Sequence, residues 1–196
     1  MLSVARWTTL AVWGVWVAIY WRGGIGLVSG LARSTHSSLS RYDTALIVGI
    51  VILSNVMLWT GYFMLRGRVA DGWGVHGEWL VVLGTLLVGV GCVGTLYCRA
   101  QMGSLWSAHT VLLAEHKVID YGPYAWVRHP IYAFSCTMTL GTVLAFMTWW
   151  TVFAGALAVL LYVVKGVVEE RALAAQLPGY REYQHRVRYR LAPWIW

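Results

Sequence analysis

The chain has 196 residues, of which 59% are hydrophobic and 12% charged. A soluble domain carries about 25% charged residues, so too few are present to cover a water-facing surface, and the excess of apolar residues excludes a disordered chain. The formal charge is +7, but five of the fifteen Lys and Arg lie between Arg171 and Arg190, behind the last apolar run. That placement suits a membrane flank and anionic lipid rather than nucleic acid.

In chain order, stretches free of Asp, Glu, Lys and Arg that approach the roughly 20 residues of a crossing predict the membrane spans. The first covers Trp7–Trp21 and reaches Val28 if Arg22 snorkels; the second is Thr44–Leu65 and the third Trp79–Cys98. It has no small-x-small cleavage site, so the first segment reads as a span rather than a signal peptide. The uncharged stretch Pro130–Val164 is too long for one crossing, and Met147-Thr148-Trp149-Trp150 near its middle reads as an aromatic interface turn. The expected fold is all-α: a polytopic integral membrane protein with about five transmembrane helices and a C-terminal cytosolic helical tail. Residues 1–98 would hold three N-terminal spans, and residues 99–196 a loop, a helical hairpin and the tail. Loop charge places loops 29–43 and 99–129 in the cytosol with the tail. Cys92, Cys98 and Cys136 form no CxxC pair and read as small buried hydrophobes, with neither a disulfide frame nor a metal site implied.

Two polar clusters interrupt the apolar pattern. In the first, Asp120 and Gly122-Pro123 predict a turn, and Pro130 fits the first turn of the fourth helix. Arg128 and His129 then gather at that helix N-terminus, which together with the arginine charge suits an acidic ligand group. The second cluster, Lys165, Glu169 and Glu170, begins where the fifth span is expected to end; Lys165 and Glu169 are four apart and share a helix face. Ionisable groups at membrane depth usually face a cavity, and opposite charges at one leaflet suit a zwitterionic ligand. The same residues also fit a plainer reading, with Arg128 and His129 as head-group anchors and Lys165 as an intrahelical partner of Glu169. The segment Tyr180–Val187 would then be an interfacial amphipathic helix.

The ordered blocks His-x-Val-Ile-x-x-Gly-Pro-Tyr-x-x-Val-Arg-His-Pro-x-Tyr (116–132), Lys-x-x-x-Glu-Glu-x-x-Leu (165–173) and Gly-Tyr-x-x-Tyr-x-x-Arg-Val (179–187), with a closing Leu-Ala-Pro-Trp, resemble the isoprenylcysteine carboxyl methyltransferase family. The resemblance covers roughly residues 99–196. It implies a membrane enzyme using S-adenosyl-L-methionine, with His109, His116, Lys117, Val118, Ile119, Tyr124, His129, Pro130, Ile131, Tyr132 and Glu169 at the cofactor. It also implies Lys165 as the substrate-binding residue. Within that picture Arg128 would hold the cofactor carboxylate, Glu169 its ammonium, and Lys165 the acceptor carboxylate, so that Arg128, Lys165 and Glu169 carry the reaction. The acceptor would be lipid-like, entering from the bilayer, with the cofactor arriving from the cytosol. The host membrane would be a bacterial-type inner membrane, or the endoplasmic reticulum in a eukaryote.

Two departures from the family pattern stand out. Phe134 replaces a common Gly and is expected to narrow the pocket, and Leu177-Pro178-Gly179 is expected to interrupt the tail helix. Three rival readings remain open at this point. A phosphatidylethanolamine-type N-methyltransferase shares much of the same half, although Lys165 would repel its amine acceptor. An NADPH-dependent membrane reductase would need a basic cluster or glycine-rich turn that is not visible. The last is a non-catalytic membrane interaction module.

Overall fold

A computed structural model describes residues 2–22, 39–69, 77–106, 118–193 and 196. The described residues form helices α1 (Leu2–Arg22), α2 (Leu39–Leu65), α3 (Glu78–Met102), α4 (Pro130–Phe146), α5 (Trp149–Gln176) and α6 (Tyr180–Arg186), with short 3-10 turns at Gly103–Leu105 and Gly122–Ala125. No strand occurs among them. Helices α1, α2, α3 and α5 are each long and apolar enough to cross a membrane, and α4 is a shorter apolar helix of 17 residues. Their outward surfaces carry Ile52 and Val56 on α2, Leu86, Val90 and Val93 on α3, and Phe153 and Leu160 on α5. An apolar exterior of this kind matches acyl chains, and the chain is a polytopic all-α membrane protein.

The expected hairpin is present between α4 and α5. Met147 turns the chain with a left-handed φ of 43°. Thr148 then caps α5: its hydroxyl accepts from the Thr151 N–H at 3.1 Å, while the Thr151 hydroxyl accepts from the Thr148 N–H at 3.0 Å. This reciprocal pair satisfies two donors that a helix start otherwise leaves open. Helix α5 does not stop at Val164 but runs on to Gln176, so Lys165, Glu169 and Glu170 lie inside it. Helix α2 likewise starts at Leu39, which puts Asp43 within the helix rather than at its edge.

Close approach of α3 and α4 depends on glycine. A Cβ on Gly84 would sit 2.5 Å from the Gly141 carbonyl oxygen, and one on Gly141 would sit equally close to the Gly84 carbonyl. Small residues let membrane helices meet backbone to backbone, where dispersion and weak polar contacts replace the hydrophobic effect. Phe134 lies on this seam, with its ring packed over Gly94. It does not line the cavity described below, so the expected narrowing is not seen: the ring fills the space a glycine on α3 leaves for it. Helix α1 joins through polar tips. The Trp13 indole N–H donates to the Thr142 hydroxyl at 2.9 Å, the Trp16 indole N–H to the Thr95 hydroxyl at 2.8 Å, and the hydroxyls of Thr9 and Thr85 meet at 3.0 Å.

Because successive helices run in alternate directions, the end of α1, the start of α2, the end of α3, the start of α4 and the end of α5 gather at one end of the bundle. The opposite end holds a cluster of Met64, Ala145 and Phe146; beside it the Arg6 Nε donates to the Ala145 carbonyl at 3.0 Å. After α5, Leu177-Pro178-Gly179 breaks the helix as expected, with Gly179 at φ 78°. The chain beyond α6 then returns beside the start of α4. The N–H groups of Arg128 and His129 donate to the carbonyls of Tyr189 and Arg190, each at 2.9 Å.

Candidate active site at the gathered helix ends

A cavity of about 200 Å³ opens where these ends meet. The 3-10 turn Gly122–Ala125, set by Gly122 at φ 60° and Pro123 behind it, delivers Tyr124 to one wall. The Tyr124 hydroxyl donates to the Cys98 carbonyl at 3.4 Å, and its own carbonyl accepts from the Tyr183 hydroxyl at 2.7 Å. Pro130 opens α4, so that Pro130, Ile131 and Tyr132 line the cavity from its first turn, which carries no side-chain cap. Val118 and Ile119 face the same space from the preceding loop.

The His129 ring stacks on Tyr132, with centroids 5.4 Å apart and planes 10° from parallel. The Tyr132 hydroxyl donates to Glu169 Oε2 at 2.6 Å. Among the described residues no Lys, Arg or His side chain pairs with Glu169. Glu169 is thus a cavity-lining carboxylate whose charge is not matched by a described cation. Glu170, one residue on, is 3% exposed and fully engaged. It accepts from Arg128 Nε at 2.6 Å, Arg190 Nε at 2.9 Å and Gln184 Nε2 at 3.4 Å, with His129 Nε2 at 3.2 Å. A carboxylate can only accept, so His129 carries its proton on Nε2.

The structure thus brings Val118, Ile119, Tyr124, Arg128, His129, Pro130, Ile131, Tyr132, Lys165 and Glu169 to one cavity. His109, His116 and Lys117 lie outside the described residues. Two of these side chains have protein partners that the sequence did not anticipate. Arg128 lines the cavity and is also bound within the protein: besides Glu170, its Nη1 donates to the carbonyls of Val187 at 2.7 Å and Arg188 at 2.9 Å, which fastens the C-terminal segment to α4. Lys165 does not pair along its own helix with Glu169; its Nζ donates to Asp43 Oδ1 on α2 at 2.5 Å, with both groups buried.

Part of the cavity wall was given no site role by the sequence, although Leu173, Tyr180 and Tyr183 stand in the ordered blocks. Trp16 comes from α1, Ile47, Ile50 and Val51 from α2, Tyr162 and Leu173 from α5, and Leu177, Tyr180 and Tyr183 from the tail. The apolar residues carry no local signal, because every lipid-facing helix has the same composition. Asp43 did carry one: an acid inside an apolar helix needs a partner.

Chemically, the cavity combines a carboxylate open to a cation, an uncapped helix N-terminus suited to an anion, an ammonium held at the wall, stacked aromatic rings and an apolar flank. No curated protein matches the chain. The family model for the Isoprenylcysteine carboxyl methyltransferase (ICMT) family matches residues 82–175, from near the start of α3 almost to the end of α5. That segment, which supplies the cavity's polar residues Arg128, His129, Tyr132, Lys165 and Glu169, is where the chain matches the isoprenylcysteine carboxyl methyltransferase family.

Proposed function

We propose that this protein is an S-adenosyl-L-methionine-dependent methyltransferase whose acceptor is the carboxylate of an S-isoprenylcysteine or a similar lipid-like acid. The family match supports methyl transfer, and the observation that carries the cofactor reading is Glu169. A half-buried carboxylate on a cavity wall, bonded to a neutral phenol and matched by no described cation, is a receptor for a cationic ligand end. When bound, S-adenosylmethionine supplies an electrophilic methyl group on a sulfonium.

The residues of the chain fit that group. Glu169 holds the ammonium end, with Tyr132 fixing the orientation of its carboxylate. The open N–H groups in the first turn of α4 receive the ligand carboxylate, a task assigned here to the helix terminus rather than to Arg128. Tyr124 and Tyr132 offer ring faces to the adenosine, beside Val118 and Ile119. On the acceptor side Lys165 orients a carboxylate, and Ile47, Ile50 and Val51 pack the lipid chain. An ionised carboxylate needs no general base, so alignment and the exclusion of water are the chief contributions. The cavity mouth faces the cytosol, on the side of the basic tail.

Phospholipid N-methylation is the second reading, and the Asp43–Lys165 pair favours it. The objection that Lys165 repels an amine is weaker once its charge is balanced. Titration of the purified protein with S-adenosylhomocysteine by calorimetry tests the cofactor; absence of binding at millimolar ligand overturns the methyltransferase reading. Methyl transfer from labelled donor to N-acetyl-S-farnesylcysteine, run beside phosphatidylethanolamine vesicles, decides the acceptor.

A further inference from the structure

We propose that Asp43 is a positioning residue that keeps Lys165 from closing onto Glu169, so that the cavity presents a cation to the acceptor and a carboxylate to the cofactor at the same time. This inference rests on the functional reading above. It extends that reading to α2, which lies outside the matched segment.

Three observations carry it. Lys165 and Glu169 both line the cavity and both sit on α5 at a spacing of four, the separation at which oppositely charged helix side chains pair. In the structure they do not pair: Lys165 Nζ is bound to Asp43 Oδ1 at 2.5 Å, across the seam between α5 and α2, while Glu169 takes the Tyr132 hydroxyl. Lys165 and Asp43 are 4% and 2% exposed, so water is a poor alternative partner for either.

A lysine side chain has a flexible four-carbon stem and a compact ammonium with three donors. Without Asp43 the buried ammonium needs another anion, since an unpaired buried charge is costly; Glu169 is the acid one turn away. That contact would fill the cofactor-side carboxylate and withdraw the ammonium from the acceptor side. Asp43 uses one donor, pins the stem toward α2 and leaves two donors for a ligand. It does not itself line the cavity, which is why its role is positioning.

The test is S-adenosylhomocysteine affinity in a suppressor pair, with the parent protein measured first. Asp43→Asn is expected to weaken binding about fivefold to tenfold, because apparent affinity scales with the fraction of molecules in which Glu169 remains available. Adding Lys165→Met to Asp43→Asn removes the competing ammonium and is expected to return affinity to within about twofold of the parent, though not turnover. A purely structural role for Asp43 predicts no such recovery. Parent-level affinity in Asp43→Asn, or a loss that Lys165→Met does not reverse, overturns the proposal. If Asp43→Asn does not fold, the exchanged pair Asp43→Lys with Lys165→Asp keeps the charges and moves the ammonium onto α2. Retained S-adenosylhomocysteine binding with a KM for N-acetyl-S-farnesylcysteine raised about tenfold supports the proposal, and lost binding overturns it. Failure of the parent to bind S-adenosylhomocysteine strikes the methyltransferase reading itself and is thus distinct from failure of the suppressor.

Discussion

Glu169 and Glu170 are adjacent in sequence, yet α5 turns them to different neighbours. Glu169 meets the Tyr132 hydroxyl on the cavity wall, and Glu170 gathers Arg128, His129 and Arg190 beneath the C-terminal segment. One residue step rotates a helix by about 100°, enough to separate a ligand contact from a structural one.

Glu169→Gln keeps the shape and an acceptor for Tyr132 but removes the charge. Hydrogen bonds to charged groups are worth about 1.5–3 kcal/mol, so S-adenosylhomocysteine affinity is expected to fall about tenfold or more. Calorimetry reads this directly. The melting temperature is expected to stay near that of the parent, because Glu169 has no described ion-pair partner to abandon.

Glu170→Gln should show the opposite pattern. It leaves the buried Arg128 guanidinium without its carboxylate, and removing one partner of a buried pair costs about 3 kcal/mol or more. Arg128 also holds the Val187 and Arg188 carbonyls, so the C-terminal segment loosens with it. The expected signs are a lower melting temperature and faster tryptic cleavage after Arg186 and Arg188. A variant as protease-resistant as the parent would refute the anchoring role.

The seam between α3 and α4 gives a contrast between two glycines of one helix. In Gly84→Ala the new methyl meets the Gly141 carbonyl and the Ala145 N–H at 2.5 and 2.6 Å; backbone cannot yield as a flexible side chain can, and overpacking costs about 1–3 kcal/mol. Gly89→Ala meets nothing within 4 Å, and gains up to about 1 kcal/mol of helix propensity. Denaturant titration in detergent micelles is expected to move the two variants in opposite directions.

Much of this arrangement could be read from the residues, because bilayer thickness and charge cost constrain them strongly. The hairpin turn at Met147–Trp150, the Gly122-Pro123 turn, the Pro130 start of α4 and the break at Leu177–Gly179 all follow from local rules about proline, glycine and apolar length. The helix ends were less legible. Arg6 and Asp43 read as edges in a scan for uncharged stretches, yet both lie inside helices, where Arg6 Nε meets the Ala145 carbonyl and Asp43 meets Lys165. No local rule anticipates a partner more than a hundred residues away. Arg128 shows the same limit, since its engagement by Glu170, Val187 and Arg188 appears only once the tail has folded back. Phe134 was read against the motif beside it, whereas its environment is set by Gly94 on a different helix.

Tyr183 gives the tail a pH dependence with a definite sign. Its ring is 2% exposed, its hydroxyl donates to the Tyr124 carbonyl at 2.7 Å, and burial pushes that hydroxyl above the ordinary phenol range, as it does for Tyr180. A folded-state value raised above the unfolded one, about 10 for tyrosine, means that the folded tail holds the proton more tightly. The stability this contributes is complete below pH 10 and is lost as pH climbs above it. Tail release, followed by proteolysis after Arg186 and Arg188, is therefore expected to accelerate as pH rises above about 10. Tyr183→Phe should cost about 1 kcal/mol at pH 8, the worth of one hydrogen bond, and should flatten the alkaline rise to the part that Tyr180 supplies. An unchanged alkaline profile in Tyr183→Phe would place the titrating group elsewhere and leave Tyr183 as packing alone.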